Sequence, residues 1–167
     1  RPIATPRSTR RSTPARRRAA LRFAWILALA LACAPALAHK PSDSYLALRA
    51  EGAVLEGQWD IALRDLEYAI GLDADGDGAI TWGETRARHA AIAAYALARL
   101  ALSADGRPCS LLTGEQLVDQ HSDGAYSVLR FAAHCDAAPE RTLAIGYSLF
   151  ADLDPTHRGL VRVERAS

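Results

Sequence analysis

Residues 73 to 84 read Asp73-Ala74-Asp75-Gly76-Asp77-Gly78-Ala79-Ile80-Thr81-Trp82-Gly83-Glu84. Acidic side chains recur at alternate positions 1, 3 and 5, and a fourth carboxylate stands at position 12. Gly78 occupies position 6, where a sharp turn makes a Cβ costly. Alternate residues of a tight loop point inward, so Asp73, Asp75 and Asp77 can surround one hard cation that seeks six to eight oxygens. Ala79 would add its backbone carbonyl, Thr81 its hydroxyl or a bridging water, and Glu84 two oxygens at once. Ile80 is the apolar residue that pins such a loop to a core. Without a cation, four carboxylates so close together repel one another. An acidic surface turn is the simpler alternative. Chance assembly of all the fixed positions is on the order of one in ten thousand, which favours the calcium loop.

The stretch fits the twelve-residue calcium loop of an EF-hand and predicts a helix–loop–helix in the middle of the chain. The segment before it is short: Asp65 can cap a helix running to Ile70, about two turns. The segment after it, Glu84 to Leu102, is Ala-rich without Pro or Gly and reads as one long helix. Its apolar stripe contains Ile92, Tyr95, Ala96 and Leu100. The expected insertion spans about 64–102. No second intact loop is present to pair with the first. A short entering helix, a lone loop and a chain without Met argue for a structural cation rather than a sensor that opens an adaptable groove.

Around this insertion the pattern is β. Residues 44–49 and 54–63 alternate, with Glu51-Gly52-Ala53 as the turn between them. Ala104-Asp105-Gly106-Arg107-Pro108 is a turn signal, and strands are expected over 110–118, 125–134, 142–151 and 159–164. Asp152, Asp154 and His157 lack metal-loop spacing, so 152–159 reads as a hairpin turn between Ser148–Phe150 and Leu160–Arg162. The fold class is α+β: an antiparallel β-domain, with a sandwich as one arrangement, carrying the inserted helix–loop–helix.

The first 38 residues form a leader and 39–167 one domain. Residues 1–22 hold eight arginines and no acid, an apolar run follows from Phe23 to Ala32, and Ala36-Leu37-Ala38 is a small-x-small cleavage site. That order is a secretory signal peptide, and Pro35 and the short run argue against a membrane span. Processing at Cys33 into a lipoprotein is the rival reading, on a poor version of the usual signal. The whole chain carries 20 basic and 19 acidic residues; without the eight leader arginines, 12 face 19, a net −7. An acidic domain argues against nucleic acid as a partner and for cations. Export also explains the cysteines. With Cys33 in the leader, Cys109 and Cys135 remain, and one disulfide is the simplest outcome in an oxidising compartment. No nucleophile–base motif, phosphate loop, zinc signature or C-x-x-C is present, so the expectation is a protein that is not an enzyme.

His39 would become the N-terminus after cleavage, where its amine and imidazole can chelate copper or nickel. The stretch Ala38-His39-Lys40-Pro41-Ser42-Asp43-Ser44-Tyr45-Leu46 resembles the mature start of bacterial HupE/UreJ-type membrane proteins. The stretches from Gly57 to Leu66 and from Phe150 to Gly159 resemble their extracytoplasmic domain, and the resemblance covers roughly residues 20 to 167. It implies hydrogenase or urease accessory roles, nickel handling, and a continuation into membrane helices or a membrane partner. The chain is then expected to be a piece of such a protein or its exported domain alone. Transport does not carry over to the stretch read here. The principal reading is an exported, calcium-binding domain, periplasmic or secreted. The alternative is the ectodomain of a transition-metal permease that uses His39.

Overall fold

The computed structural model describes residues 43–165. The expected signal peptide, Cys33 and His39 lie outside the described residues, as do the last two positions.

Strands β1 (Asp43–Glu51) and β2 (Val54–Ala62) form the expected hairpin, with Tyr45 opposite Asp60 and Glu51 opposite Val54. Their inward positions are Leu46, Leu48, Leu55, Trp59 and Ile61, all essentially inaccessible to solvent. Helix α1 (Leu63–Ile70) follows without a break. It begins two residues before the expected Asp65 cap, because Leu63 and Leu66 must both face the core; Asp65 lies instead in the first turn, where its charge suits the helix dipole. After the 73–84 loop come α2 (Trp82–Ala87) and α3 (His89–Leu97). The single helix expected to Leu102 is thus two, broken at Arg88, whose ψ is 4°. The break re-aims α3 so that Ile92, Ala93 and Ala96 enter the core.

The second correction is β3 (Leu100–Ala104), which occupies the end of that expected helix. Leu100, Leu102 and Ala104 are buried in alternation. Ala-rich composition favours helix locally, but strand pairing buries this alternating set, and the tertiary gain overrides the propensity. Strands β4 (Arg107–Pro108), β5 (Ser110–His121), β6 (Gly124–His134), β7 (Leu143–Tyr147) and β8 (Arg158–Arg165) complete the chain. They build a five-stranded sheet in the order β5-β6-β2-β1-β8 and a three-stranded sheet in the order β4-β3-β7.

The expected hairpin between Ser148–Phe150 and Leu160–Arg162 does not form. Strand β7 ends at Tyr147 and pairs antiparallel with β3 in the small sheet, whereas β8 crosses to the large sheet and pairs parallel with β1. The connection carries Leu149 and Phe150 into the core. Asp43 and Arg158 fall opposite each other in this parallel ladder and form a two-pronged ion pair of 3.0 and 3.3 Å. Apart from this pair, the ladders are antiparallel, and the class is α+β as expected.

One core joins these parts. The inner face of the large sheet meets Leu63, Leu66, Leu72, Ile92, Leu100, Leu102, Leu149 and Phe150. Gly57 lies opposite Phe131, and a Cβ there would fall 2.2 Å from the ring. Cys109 and Cys135 are joined, one step beyond the Ser110–His134 pair at the end of the β5–β6 ladder. Cys109 also donates its N–H to Leu102 of β3, so the bridge sits where the two sheets meet.

Candidate metal centre

The loop is held at both ends by carboxylates. At its entrance, Glu67 of α1 accepts from the backbone N–H groups of Leu72 and, at 2.8 Å, of Asp73. Gly71 at φ 64° ends the helix, and Leu72, fully buried, anchors the strand of chain that enters the loop. At its exit, Thr81 and Glu84 form a capping box around the start of α2. The Glu84 N–H reaches the Thr81 hydroxyl at 3.3 Å, and the Thr81 N–H reaches Glu84 Oε2 at 2.8 Å. The Thr81 hydroxyl also donates to Glu84 Oε2 at 2.7 Å. Glu84 Oε1 meanwhile crosses the loop to accept from the Ala74 N–H at 2.7 Å. One side chain therefore closes residue 84 onto residue 74.

Inside, the aspartates organise the backbone. Asp73 accepts from Gly76 at 2.7 Å and from Gly78 at 2.9 Å, one oxygen each. Asp75 accepts from the Asp77 N–H at 3.2 Å and Asp77 from the Ala79 N–H at 2.8 Å. These are Asx turns, each carboxylate folding the chain two residues on. Gly76 and Gly78 sit at φ 75° and 84°, which a side chain would disfavour. Ile80 is half-buried against the core, and Thr85, fully buried, donates its hydroxyl to the Thr81 carbonyl. The apolar anchor and the exit helix thus fix one wall of the loop.

The structure brings carboxylate oxygens of Asp73, Asp75 and Glu84 within 4.8 Å of one another. Among the described residues this is the one such group of three or more His, Cys, Asp or Glu side chains. Two oxygens bound to the same calcium at about 2.4 Å are at most roughly twice that distance apart, so the triad has the spacing of a single ion's ligands. Asp77 is not part of it. Asp77 Oδ1 accepts from the Ala79 N–H, and the Thr81 hydroxyl donates to Glu84. Glu84 is held down to about 2 from an ordinary 4.5, first by the Thr81 N–H, then by the Thr81 hydroxyl and the Ala74 N–H. It is charged throughout the ordinary pH range.

Sequence reasoning missed two parts of this arrangement. The capping box was legible as Thr81-x-x-Glu84. The Glu67 clasp had no local signal beyond an acid six residues before the loop. The described histidines do not form a second centre. His121 Nε2 lies 3.2 Å from Asp60 and its ring stacks on Tyr126; His157 Nε2 is hydrogen-bonded to the Tyr147 hydroxyl at 2.6 Å. No helix among the described residues is long and apolar enough to cross a membrane. A comparison with models of known protein families finds no match, and a search of curated proteins finds none either.

Proposed function

We propose that this is an exported domain that binds one calcium ion through Asp73, Asp75, Asp77, the Ala79 carbonyl, Thr81 and Glu84. The observation that carries this reading is the convergence of the Asp73, Asp75 and Glu84 oxygens. Asp77 and Thr81 would join by turning from the local hydrogen bonds they make. Calcium supplies a charge that offsets the mutual repulsion of the carboxylates. The residues of the chain do the rest: Glu67 and the capping box hold the ends, and Ile80 ties the loop to the core.

The role we infer is structural. Helix α1 has eight residues, and the exit segment is split at Arg88. Leu63, Leu66, Leu72 and Ile92 are already packed in the shared core, which leaves no closed groove between the helices for an ion to open. A lone extracytoplasmic loop of this kind has an expected dissociation constant of roughly 10⁻⁵ to 10⁻³ M. Calcium titration by calorimetry tests the reading. One site in that range, with magnesium binding more weakly, supports it; no heat at millimolar calcium refutes it. Nickel or copper titration of the processed protein, against a form with one added N-terminal alanine, separates it from the alternative centred on His39.

A further inference from the structure

Among the described residues, strand β8 is an uncovered edge. In its register with β1, Val161 stands beside Leu46 and Val163 beside Leu48, all on the core face of the large sheet. Leu46 and Leu48 are each 1 % exposed, yet Val161 is 43 % and Val163 47 % exposed. On β8 the Tyr147 ring covers Gly159, and the cover that buries β1 does not extend over Val161 and Val163. On the opposite face Leu160 is 47 % exposed as well. Leu160, Val161 and Val163 lie half-exposed along a strand with no partner on its far side among the described residues. The other edge of the sheet, β5, is guarded by a register shift between Thr113 and Gln116 and by Glu115 and Asp119 between its apolar residues. Strand β8 has a continuous ladder with β1 and no charge on its core face from Gly159 to Val163. Such an edge is a template for strand addition.

The charge pattern identifies the occupant. The strand reads Arg158-Gly159-Leu160-Val161-Arg162-Val163-Glu164-Arg165. Two copies related by a twofold axis perpendicular to the sheet pair antiparallel, and residues opposite each other must share a face. This leaves registers centred on a residue. Centring on Leu160 sets Arg158 against Arg162, and centring on Arg162 sets that residue against itself. Centring on Val161 sets Arg158 against Glu164 at both ends, Val161 against Val161, Gly159 against Val163 and Leu160 against Arg162. Centring on Val163 sets Arg162 against Glu164 but pairs only residues 161–165 of the strand, so the Val161 register is the longest that opposes unlike charges and no like ones, and cross-strand pairs reward that difference. Arg158 keeps its bond to Asp43 and still has a side chain 65 % exposed, and Glu164 is 50 % exposed.

We propose that β8 is a homodimer interface through which two copies of this chain join their large sheets antiparallel, with Val161 on the twofold axis. The partner strand covers Val161 and Val163, and it satisfies the outward N–H and C=O groups of the edge. This inference is independent of calcium.

The test uses the full chain expressed with its leader. Sedimentation equilibrium of the unaltered protein should give a mass rising to twice that of the monomer with concentration. Val161→Cys should cross-link to itself under mild oxidation, while Val163→Cys, which faces Gly159, should not. Non-reducing peptide mapping should then find two copies of residue 161 joined. Val161→Lys and Glu164→Arg should each remain monomeric with a melting temperature close to that of the unaltered monomer. A monomeric mass at every concentration would overturn the proposal. So would a dimer that survives Val161→Lys, self-cross-linking through residue 163 in preference to 161, or a complex in which β8 holds a different protein.

Discussion

Glutamine at position 84 should nearly abolish the response of the fold to calcium. The side chain is the one that spans the loop, and its carboxylate accepts three hydrogen bonds, from Ala74 N–H, Thr81 N–H and the Thr81 hydroxyl. Glutamine keeps one oxygen and turns the other into a donor, so it meets the Ala74 or the Thr81 N–H donor to donor. It also removes one charge from the triad. Calcium at one hundred times its dissociation constant stabilises the native state by about 2.7 kcal/mol. A domain of roughly 120 ordered residues has a melting entropy near 0.25 kcal/mol/K, so the shift is about 10 °C. If Glu84→Gln weakens binding about a hundredfold, the same calcium concentration leaves a shift of roughly 2 °C. Differential scanning calorimetry with calcium, with magnesium and with chelator reads both values. An unaltered protein that ignores millimolar calcium, or a variant that responds as strongly as the parent, would refute the reasoning. The carboxylate has a folded value of about 2 against an ordinary 4.5. Its contribution is therefore complete above about 4.5 and is lost as the pH falls through 2, so neutral-pH data are free of its titration.

Reduction of the Cys109–Cys135 bridge, which closes a separation of 26 residues, should cost about 3.5 kcal/mol in the loop-entropy account; calorimetry of the reduced and alkylated protein gives the value, and two free thiols in protein folded under oxidising conditions would contradict the pairing. Gly57→Ala should destabilise by about 1–3 kcal/mol, since the new methyl meets the Phe131 ring. Phe131→Leu in the same chain should return part of that loss in a double-mutant cycle, and simple additivity would disprove the contact. His157 is held below its ordinary 6.5 by burial against Phe150 and Tyr147, with Asp65, Asp154 and Asp43 opposing. The unfolded chain binds that proton more readily, so this part of the stability is present above about 6.5 and is lost as the pH falls through the lower folded value. Denaturant melts of His157→Gln should lack that component, and an unchanged pH profile would exclude the assignment. Hydrogen exchange should show calcium protecting residues 71–86 and little else; dye binding induced by calcium at a distant apolar surface would mean a sensor instead.

The parts of this protein written into short stretches of sequence were legible there. The loop from Asp73 to Glu84 is local, its acidic spacing is set by oxygen coordination, and the structure folds it with Asp73, Asp75 and Glu84 converging. Strand β1 alternates because one face is buried and the other is wetter, while β2 and β6 alternate over part of their length and are buried on both faces over 59–62 and 126–129. The pairing expected of Cys109 with Cys135 is the one observed.

What tertiary structure decided involves partners far apart in the chain. Leu100 and Leu102 sit in a run of helix formers, and only the presence of β7 beside them makes β3 the better burial. Residues 158–165 alternate as a strand in any setting, but their partner is β1, with Arg158 and Asp43 115 positions apart, rather than the neighbouring 148–150. A hairpin is the cheaper closure, yet crossing to β1 lets Leu149 and Phe150 fill the core on the way. In the loop, the same ligand spacing did not reveal that Asp77 would be turned to Ala79, nor that Glu67 would clasp the entrance. Sequence set which atoms could meet a cation, because that depends on neighbours a few residues away. Which of them do converge depends on how α1 and α2 are docked, and that is fixed by a core drawn from the whole domain.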